Sequence, residues 1–330
     1  MTERFVLGVD GGGTKTLALV ADSQGRVLGM GRAGSSNYQD CGRAGAEKQI
    51  RRALDLACRN AGIATSQLEA ACLGLSGADR PRDFEFIRGF LDPLLPGLSS
   101  RLVNDSLIAL RAGTEDGVGI ALVAGTGSNV IGRNAEGQTL QVGGLGPLSG
   151  DRGSAPQIGQ EAVVAAIMGQ DGRGAATVLT ARIMEKLSLD RLDDIIELEF
   201  FDNLEGRLNL GFLAPLVFEA AASGDVEAQR ILVDSGHSLA GSAAVIASSL
   251  FSGEQTLRLV FGGSVLQKGA SPLLIETVVD DLRQVCPGLK TRILDLPPVA
   301  GAVLFALDDL GLRDTGLVEA LRAGIQEAKN

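Results

Sequence analysis

Phe5-Val6-Leu7-Gly8-Val9-Asp10-Gly11-Gly12-Gly13-Thr14-Lys15-Thr16 is an apolar run that ends on one aspartate and three glycines. The apolar run is typical of a buried strand, and the glycines end it. Residues 16–21 and 26–30 are two further strand-like runs, and the sequence between them, Asp22-Ser23-Gln24-Gly25, has the composition of a hairpin turn. The segment therefore predicts a three-stranded meander with a glycine loop after its first strand.

The same pattern recurs about 110 residues later. Residues 119–123 form an apolar run that ends at Gly125-Thr126-Gly127-Ser128, and two more strand-like runs follow around a second turn. Thr14 to Gly25 spans eleven positions, as does Thr126 to Gly137, so the unit repeats at an offset of 112. An internal repeat decides the architecture of a chain. The sequence predicts two related halves, each opening with a meander and continuing as β-α-β.

Helical and strand-like patterns alternate over the rest of the chain, which is typical of an α/β protein. Helices are predicted at 46–61, 83–95, 155–168, 175–187, 226–251, 273–285, 299–310 and 315–328, and strands at 68–75, 101–103, 257–261 and 290–294. We expect a first domain over residues 1–112 and a second over 113–312 with a helical insertion. The last helix, about 313–330, is expected to pack back on the first domain.

Composition excludes several classes of protein. The 45 glycines among 330 residues are about twice the usual share, but they follow no collagen period and are mixed with Val, Ile and Leu. With Lys+Arg 30 against Asp+Glu 40, the net charge of -10 argues against binding to nucleic acid or to an anionic membrane. The four cysteines show no C-x-x-C spacing, and the N-terminus has no signal-peptide pattern. We expect a cytoplasmic protein.

Three apolar strands end in glycine-rich turns, at residues 11–14, 125–128 and 262–264. Successive glycines let backbone N–H groups converge on an anion, and the Thr and Ser hydroxyls add donors. One such loop is explained equally well by a tight hairpin, but three of them favour phosphate binding. A pseudo-twofold between the halves would bring the first two loops to one cleft around a triphosphate. The glycine spacing fits neither a P-loop nor a Rossmann fingerprint.

Two aspartates lie at strand ends. Asp10 precedes the first glycine loop, where its carboxylate either holds Mg²⁺ through water or accepts bonds from loop amides. Asp105, in Asn104-Asp105-Ser106, lies where a strand ends and a helix begins. It is either a helix N-cap or a general base that takes the proton of an attacking hydroxyl in phosphoryl transfer. The spacing alone leaves both roles open.

Six segments together carry a resemblance to a known family. They are Asp10-Gly11-Gly12-Gly13-Thr14-Lys15-Thr16, Leu75-Ser76-Gly77-Ala78-Asp79, Asn104-Asp105, Ala124-Gly125-Thr126-Gly127-Ser128-Asn129, residues 143–154 and Pro298-Val299-Ala300-Gly301-Ala302. In this order the chain resembles the BadF/BadG/BcrA/BcrD ATPase family from residue 5 to about 307. The best-understood members are N-acetylglucosamine kinases of the actin/hexokinase/chaperone ATPase superfamily. The resemblance implies duplicated RNase H-like (actin-like ATPase) domains that close an interdomain cleft around ATP, Mg²⁺ and a sugar, and it suggests a homodimer.

The resemblance also implies roles for individual residues. It makes Asp105 the catalytic base. Asp10 stays the expected metal-binding carboxylate because of its position beside the glycine loop. Residues expected to bind the nucleotide are Gly12, Gly13, Thr14 and Lys15 in the first phosphate loop, Gly125, Thr126 and Gly127 in the second, and Gly262, Gly263 and Ser264 in the adenosine motif. Residues expected to hold the sugar are Asn37, Ser76, Asp105, Gly144 and Asp151.

The sequence departs from the family pattern at two substrate-motif positions. The motif commonly reads Gly-Gly-Trp-Gly followed by Gly-Asp-Glu-Gly-Ser, and here Leu145 replaces Trp and Arg152 replaces Glu. Leu145 does not reproduce the aromatic wall that Trp offers a sugar. Arg152 either favours an acidic sugar such as N-acetylmuramate or forms a surface salt bridge. We expect phosphorylation of N-acetylglucosamine to its 6-phosphate, with glucosamine and N-acetylmuramate as alternative substrates.

Two functions of another class are weighed against the kinase. An ATP-driven activator of a partner dehydratase or reductase carries iron–sulfur ligands near its second phosphate loop, but Ala124-Gly125-Thr126 has no cysteine. A sugar-responsive regulator usually appends a DNA-binding helix-turn-helix, and we expect none before the first motif at Asp10. The sequence therefore favours an ATP-dependent sugar kinase.

Overall fold

The first meander is built from apolar strands, of which the first two are buried on both faces. In the computed structural model, which describes residues 4–197 and 209–328, its strands are β1 (Phe5–Gly11), β2 (Thr16–Asp22) and β3 (Val27–Ala33). Neighbouring strands pair antiparallel, with Gly11 opposite Thr16 at the closed end of the first hairpin. The predicted meander and its glycine loop are confirmed.

Two parallel strands extend this sheet on the other side of β1. β4 (Leu68–Leu75) pairs with β1 and β5 (Ser99–Asn104) pairs with β4, which gives the order β3-β2-β1-β4-β5. The helices between them are α1 (Tyr38–Ala61), α2 (Pro81–Leu91) and α3 (Asp105–Gly113). The predicted start of α1 at residue 46 was wrong. The helix begins at Tyr38 because Asn37 caps it, and the non-helical Gly42 interrupts it, which hides its first turn from a periodicity search.

The second sheet repeats the order of the first. Its strands are β6 (Gly119–Ala124), β7 (Ser128–Arg133), β8 (Thr139–Val142), β9 (Leu257–Gly262) and β10 (Leu289–Ile293). They lie in the order β10-β9-β6-β7-β8, which is the order of the first sheet with each strand replaced by its repeat. The α/β class and the duplication inferred from the two glycine loops are confirmed.

Nine further helices complete the described chain. They are α4 (Ala155–Asp171), α5 (Leu179–Leu187), α6 (Asp194–Glu197), α7 (Ala214–Ala222), α8 (Val226–Leu250), α9 (Ser264–Lys268), α10 (Leu273–Val285), α11 (Pro298–Asp309) and α12 (Gly316–Glu327). Sequence periodicity did not predict α7, which is short and apolar on several sides. Within the described residues, no helix is both long and apolar enough to span a membrane.

The chain divides into two units. The first contains the residues up to Ala121, Ile131–Leu140 and the residues from Arg292 onward, and the second contains Leu122–Val130 and Gln141–Thr291. Helices α11 and α12 therefore belong to the first unit. Helix α12 lies beside the β2–β3 hairpin, where an added Cβ on Gly25 would be 3.0 Å from the Leu317 carbonyl oxygen.

Helix α11 fixes the position of α3 within the first unit. Gly301 of α11 lies so close to α3 that a Cβ there would come within 1.9 Å of the Ile108 carbonyl oxygen. A buried ion pair, with Arg111 Nε 2.8 Å from Asp308 Oδ2, joins the same two helices. Since α3 begins at Asp105, this packing also holds the candidate base.

A Gly301→Ala substitution is expected to destabilise the protein. The new methyl group would overlap backbone atoms of α3, so the helices must separate, at a cost of about 2 kcal/mol or more in the free energy of unfolding. Gly241 is the matched control, because it is exposed in helix α8 with no atom near an added Cβ. Gly241→Ala should stabilise the protein by about 0.5–1 kcal/mol through helix propensity. Urea unfolding checks both, and equal effects would contradict the close α3–α11 contact.

Candidate active site

The carboxyl ends of β1, β4 and β5 lie in one row of the first sheet. Gly11 is paired with Leu75, and Leu75 is paired with Asn104. The residues that follow these strands are the predicted phosphate loop, the Ser76 loop and Asp105. Because neighbouring strands lie about 4.8 Å apart, the three segments emerge side by side at one sheet edge.

The first glycine loop is a tight turn between β1 and β2. The Gly12 N–H donates to the Lys15 carbonyl oxygen at 3.0 Å, which leaves Gly13, Thr14 and Lys15 exposed. Gly11 has no room for a side chain, since a Cβ there would be 2.4 Å from Ser36 Oγ. The loop thus presents backbone amides, a hydroxyl and an ammonium group to solvent, a set of donors that suits a phosphate.

Asn37 and Ser76 lie next to this loop. The Ser76 N–H donates to the Gly11 carbonyl oxygen at 2.8 Å, and a Cβ on Gly77 would be 2.8 Å from Asn37 Oδ1. Asn37 also caps α1 by accepting from the Gln39 N–H. The structure therefore brings these two predicted sugar-binding residues to the edge that carries the glycine loop.

A cluster of three polar side chains, which the sequence did not reveal, lies next to Asn37 at the start of α1. Its members are Tyr38, Arg80 and Asp83. The hydroxyl of Tyr38 donates to Asp83 at 2.6 Å, and the Arg80 guanidinium donates to both oxygens of the same carboxylate. Burial raises the pKa of Asp83, but the hydrogen bonds from Arg80 and Tyr38 outweigh it and lower the pKa to about 2. Asp83 is therefore a fixed anion that holds the first turn of α1. No spacing rule links residue 83 to residue 38.

Asp105 is the first residue of α3, and the cap of that helix is Asn104. The Asn104 side chain accepts from the Ser106 N–H at 2.8 Å and donates to Asp79 Oδ1 at 2.9 Å. The capping role is therefore filled by Asn104. The hydrogen bond to Asp79 ties the start of α3 to the loop that follows β4.

Two carboxyl groups at this edge are desolvated by the surrounding protein. The pKa of Asp105 is raised to about 7, mainly by burial and in addition by the nearby charges of Asp10 and Asp79. Burial also raises the pKa of Asp10 to about 6, against an opposing effect of Lys15. A carboxyl with a pKa near 7 suits proton transfer at neutral pH, since it combines basicity with a useful ionised fraction.

The acidic edge fits a hydrated Mg²⁺. Within the described residues, 4–197 and 209–328, no group of three or more His, Cys, Asp or Glu side chains is arranged to hold a metal directly. Mg²⁺ in nucleotide sites usually takes one or two carboxylates and completes its shell with water and phosphate oxygens. Asp10, a desolvated carboxyl beside a phosphate-type loop, suits that mode of binding.

The second glycine loop and residues 262–264, the predicted adenosine motif, meet within the second unit. The Gly125 N–H donates to the Gly127 carbonyl oxygen at 2.8 Å, and Thr126 at the tip is exposed. Gly263 has φ of +85°, and a Cβ there would be 2.2 Å from the Ala124 carbonyl oxygen. Only glycine fits at this contact, so the turn between β9 and α9 packs directly against the end of β6.

A cavity of about 200 Å³ opens beside Ser264. Its walls come mainly from α7 and α9, with residues from the segments before α7 and after α9. They are formed by Ala155, Gly211, Ala214, Pro215, Phe218, Glu219, Ser264, Val265, Lys268, Gly269 and Ala270. The sequence had indicated only Ser264 among these residues. A largely apolar pocket next to two glycine turns is suited to a nucleotide base.

The glycine-rich segment 143–153 forms a folded loop in the second unit. Asp151 Oδ2 accepts from the Gly146 N–H and from the Ser149 hydroxyl, each at 2.7 Å. Gly144 has φ of +79°, and a Cβ there would collide with Asn129. Gly144 and Asp151 line one small cavity, whereas Leu145 is 55% exposed and is not among the residues that line it.

The sequence of this chain is similar to that of known proteins over nearly its whole length. The model of the BadF/BadG/BcrA/BcrD ATPase family matches residues 7–306. An N-acetyl-D-glucosamine kinase of Dictyostelium discoideum is 31% identical, over 93% of this chain and 99% of the relative. An N-acetylmuramic acid/N-acetylglucosamine kinase of Clostridium acetobutylicum is 29% identical, over 92% and 98%.

Solved structures share the fold. A candidate N-acetylglucosamine kinase from Chromobacterium violaceum superimposes with a TM-score of 0.69 at 26% identity, over 92% of this chain and 99% of that one. A ROK hexokinase from Thermus thermophilus superimposes with a TM-score of 0.53 at 22% identity, over 93% and 99%. At that lower identity the hexokinase shows the fold alone.

Replacing Asp105 with asparagine is expected to stabilise the ligand-free protein. The pKa of Asp105 is about 7 in the folded protein against an ordinary 3.8, so the unfolded chain loses this proton first as the pH rises. Folding stability therefore falls between about pH 4 and pH 7, and the uncharged variant escapes this loss. We expect Asp105→Asn to be about 1–4 kcal/mol more stable than the parent at pH 8, with a smaller difference at pH 5.

Chemical unfolding in EDTA without nucleotide measures this difference. Asp190→Asn is the control, because Asp190 is exposed and its replacement should change stability little at either pH. An Asp105→Asn protein that is no more stable than the parent at pH 8 would contradict the desolvation of this carboxyl.

Proposed function

The chain belongs to the BadF/BadG/BcrA/BcrD ATPase family, and we propose that it is an ATP-dependent kinase that phosphorylates the primary hydroxyl of an amino sugar. N-acetylglucosamine is the proposed substrate and its 6-phosphate the product. The relatives named as N-acetylglucosamine kinases, which match nearly full length, support this substrate class. The confirmed duplicated α/β fold is that of actin-like ATPases and ROK sugar kinases.

The observation that carries the proposal is the position of Asp105. Its carboxyl is desolvated, lies at the same sheet edge as the exposed glycine loop, and belongs to the first residue of α3, the helix that Asn104 caps. A carboxylate in such a position accepts the proton of a primary hydroxyl as that oxygen attacks phosphorus. Phosphoryl transfer depends mostly on positioning and electrostatic stabilisation, so one well-placed base and a set of phosphate donors suffice.

The remaining residues have proposed roles in binding. Amides of Gly12, Gly13 and Gly125 and the hydroxyls of Thr14 and Thr126 hold phosphate oxygens, and Lys15 adds a positive charge. Gly127, Gly262, Gly263 and Ser264 shape the adenosine side. Asn37, Ser76, Gly144 and Asp151 hold the sugar. Mg²⁺ bound with ATP, and held by Asp10 through water, supplies charge neutralisation of the phosphates.

We also propose that the enzyme works in the cytoplasm as a homodimer. The dimer rests on the family resemblance. The cytoplasmic location rests on the four cysteines, which have neither disulfide-framework nor metal-binding spacing. Light scattering on the purified protein measures its mass in solution, and a mass of 34.1 kDa instead of twice that value would exclude the dimer.

Asp105→Asn is expected to remove most of the catalytic activity. Loss of the base should lower kcat by about 10²–10⁴-fold, whereas the KM for ATP should stay within about threefold because the nucleotide residues are unchanged. Steady-state assays with N-acetylglucosamine and ATP·Mg²⁺ measure both constants, with Asp190→Asn as the control. Near-normal turnover in Asp105→Asn would exclude Asp105 as the base.

Phe218→Leu is expected to weaken nucleotide binding selectively. Phe218 lines the cavity beside Ser264, and a smaller side chain offers less contact to a base, so the KM for ATP should rise about 3- to 10-fold. The KM for the sugar should change less than twofold. Phe251→Leu is the matched control, because Phe251 is equally buried in the second unit but does not line this cavity. Equal effects of both variants on ATP would argue against a base pocket here.

A further inference from the structure

A second cavity, of about 100 Å³, lies under the glycine-rich loop of the second unit. Its walls include Gly144 and Asp151 of the loop, and also Ser238 and Ser242 of helix α8, which no sequence motif had indicated. The inference below rests on the proposed function, in which Gly144 and Asp151 hold the sugar. On that basis a substituent of the sugar is in contact with this cavity.

Arg152 is the cation that lines this cavity, and two carboxylates hold it. Its Nη2 forms an ion pair with Glu161 of α4 and lies 3.9 Å from Asp234 of α8. Glu161 is itself fixed, because Gln157 Nε2 donates to it at 2.5 Å while Gln157 Oε1 accepts from the Gly153 N–H at 2.6 Å. Glu161 of α4 therefore holds one end of the guanidinium, and Asp234 of α8 lies close to the same nitrogen.

The charges around the cavity do not favour an anion. Arg152, Asp151, Glu161 and Asp234 together contribute one positive and three negative charges. Asp234 also pairs with Arg230, but Arg230 pairs with Glu227 as well. Counting this arginine and its second carboxylate together therefore leaves the excess of negative charge unchanged. A carboxylate on a sugar would meet this negative field, in which Glu161 already neutralises the charge of Arg152.

We propose that this cavity selects amino sugars with neutral or cationic substituents and rejects sugars that carry a carboxylate, with Glu161 and Asp234 as the specificity-determining residues. The charge reversal at Arg152 thus does not create an acidic-sugar site. Glu161 and Asp234 neutralise it. Glucosamine and N-acetylglucosamine are substrates of the accepted class, and N-acetylmuramate belongs to the rejected class.

The test compares kcat/KM for these three sugars with saturating ATP·Mg²⁺. For the parent enzyme, we expect the value for N-acetylmuramate to be about 100-fold or more below that for N-acetylglucosamine. Glu161→Gln removes one negative charge and frees Arg152, so the ratio of N-acetylmuramate to N-acetylglucosamine activity should rise about fivefold or more. Asp234→Asn should shift the ratio in the same direction. Circular dichroism shows whether each variant is folded. If one of the two does not fold, the other variant and the activity ratio of the parent enzyme decide the test.

Glu47→Gln is the matched control. Glu47 pairs with Arg51 on α1 of the first unit, outside the cavity, so the charge change is the same without any effect on Arg152 or Asp234. For this control, the ratio of N-acetylmuramate to N-acetylglucosamine activity should stay within about twofold of the parent value. A parent ratio within about threefold of unity, or an unchanged ratio in the folded Glu161 and Asp234 variants, would overturn the inference. Failure of the parent to phosphorylate any of the three sugars would overturn the proposed kinase function instead.

Discussion

The parallel pairing of β1, β4 and β5 is the constraint on which the candidate site depends. It aligns Gly11, Leu75 and Asn104 in one row, so that three segments far apart in the sequence leave the sheet together. The contacts between those segments follow from this register, including the Ser76 amide on the Gly11 carbonyl oxygen and the Asn104 amide on Asp79. A shift of one residue in either pairing would turn these side chains to the opposite face and dismantle the site.

The same register concentrates negative charge where it is unfavourable for folding. Burial raises the pKa of both Asp105 and Asp10, and the charge of Asp10 raises that of Asp105 further, so the ionised forms that the proposed catalysis and metal binding require are destabilising in the folded protein alone. The first unit tolerates this because α11 holds α3 through the close Gly301 contact and the Arg111–Asp308 ion pair. Strain of this kind is common where a site is preorganised for charges that the ligand brings.

The features that could be predicted from the sequence are those set by residues close together in the chain. The two meanders, their repeat and the glycine loops follow from apolar runs and turn residues that are neighbours in the chain. The sequence could not decide which of Asn104 and Asp105 caps α3, since both are good caps and only the backbone shows which one precedes the helix. Nor could it predict the walls of the cavity beside Ser264 or the partners of Arg152, because Phe218, Glu161 and Asp234 approach only through helix packing.

Excess glycine and net negative charge are compatible in one phosphate-binding enzyme, because backbone amides and a metal ion can replace a basic patch. The central claim is that this chain moves the γ-phosphoryl group of ATP to the primary hydroxyl of an amino sugar. Phosphorus-31 NMR of a reaction with ATP, Mg²⁺ and N-acetylglucosamine tests it most directly. The account predicts one phosphomonoester signal coupled to the two C6 protons. Inorganic phosphate without a sugar ester, or an ester at another carbon, would contradict it.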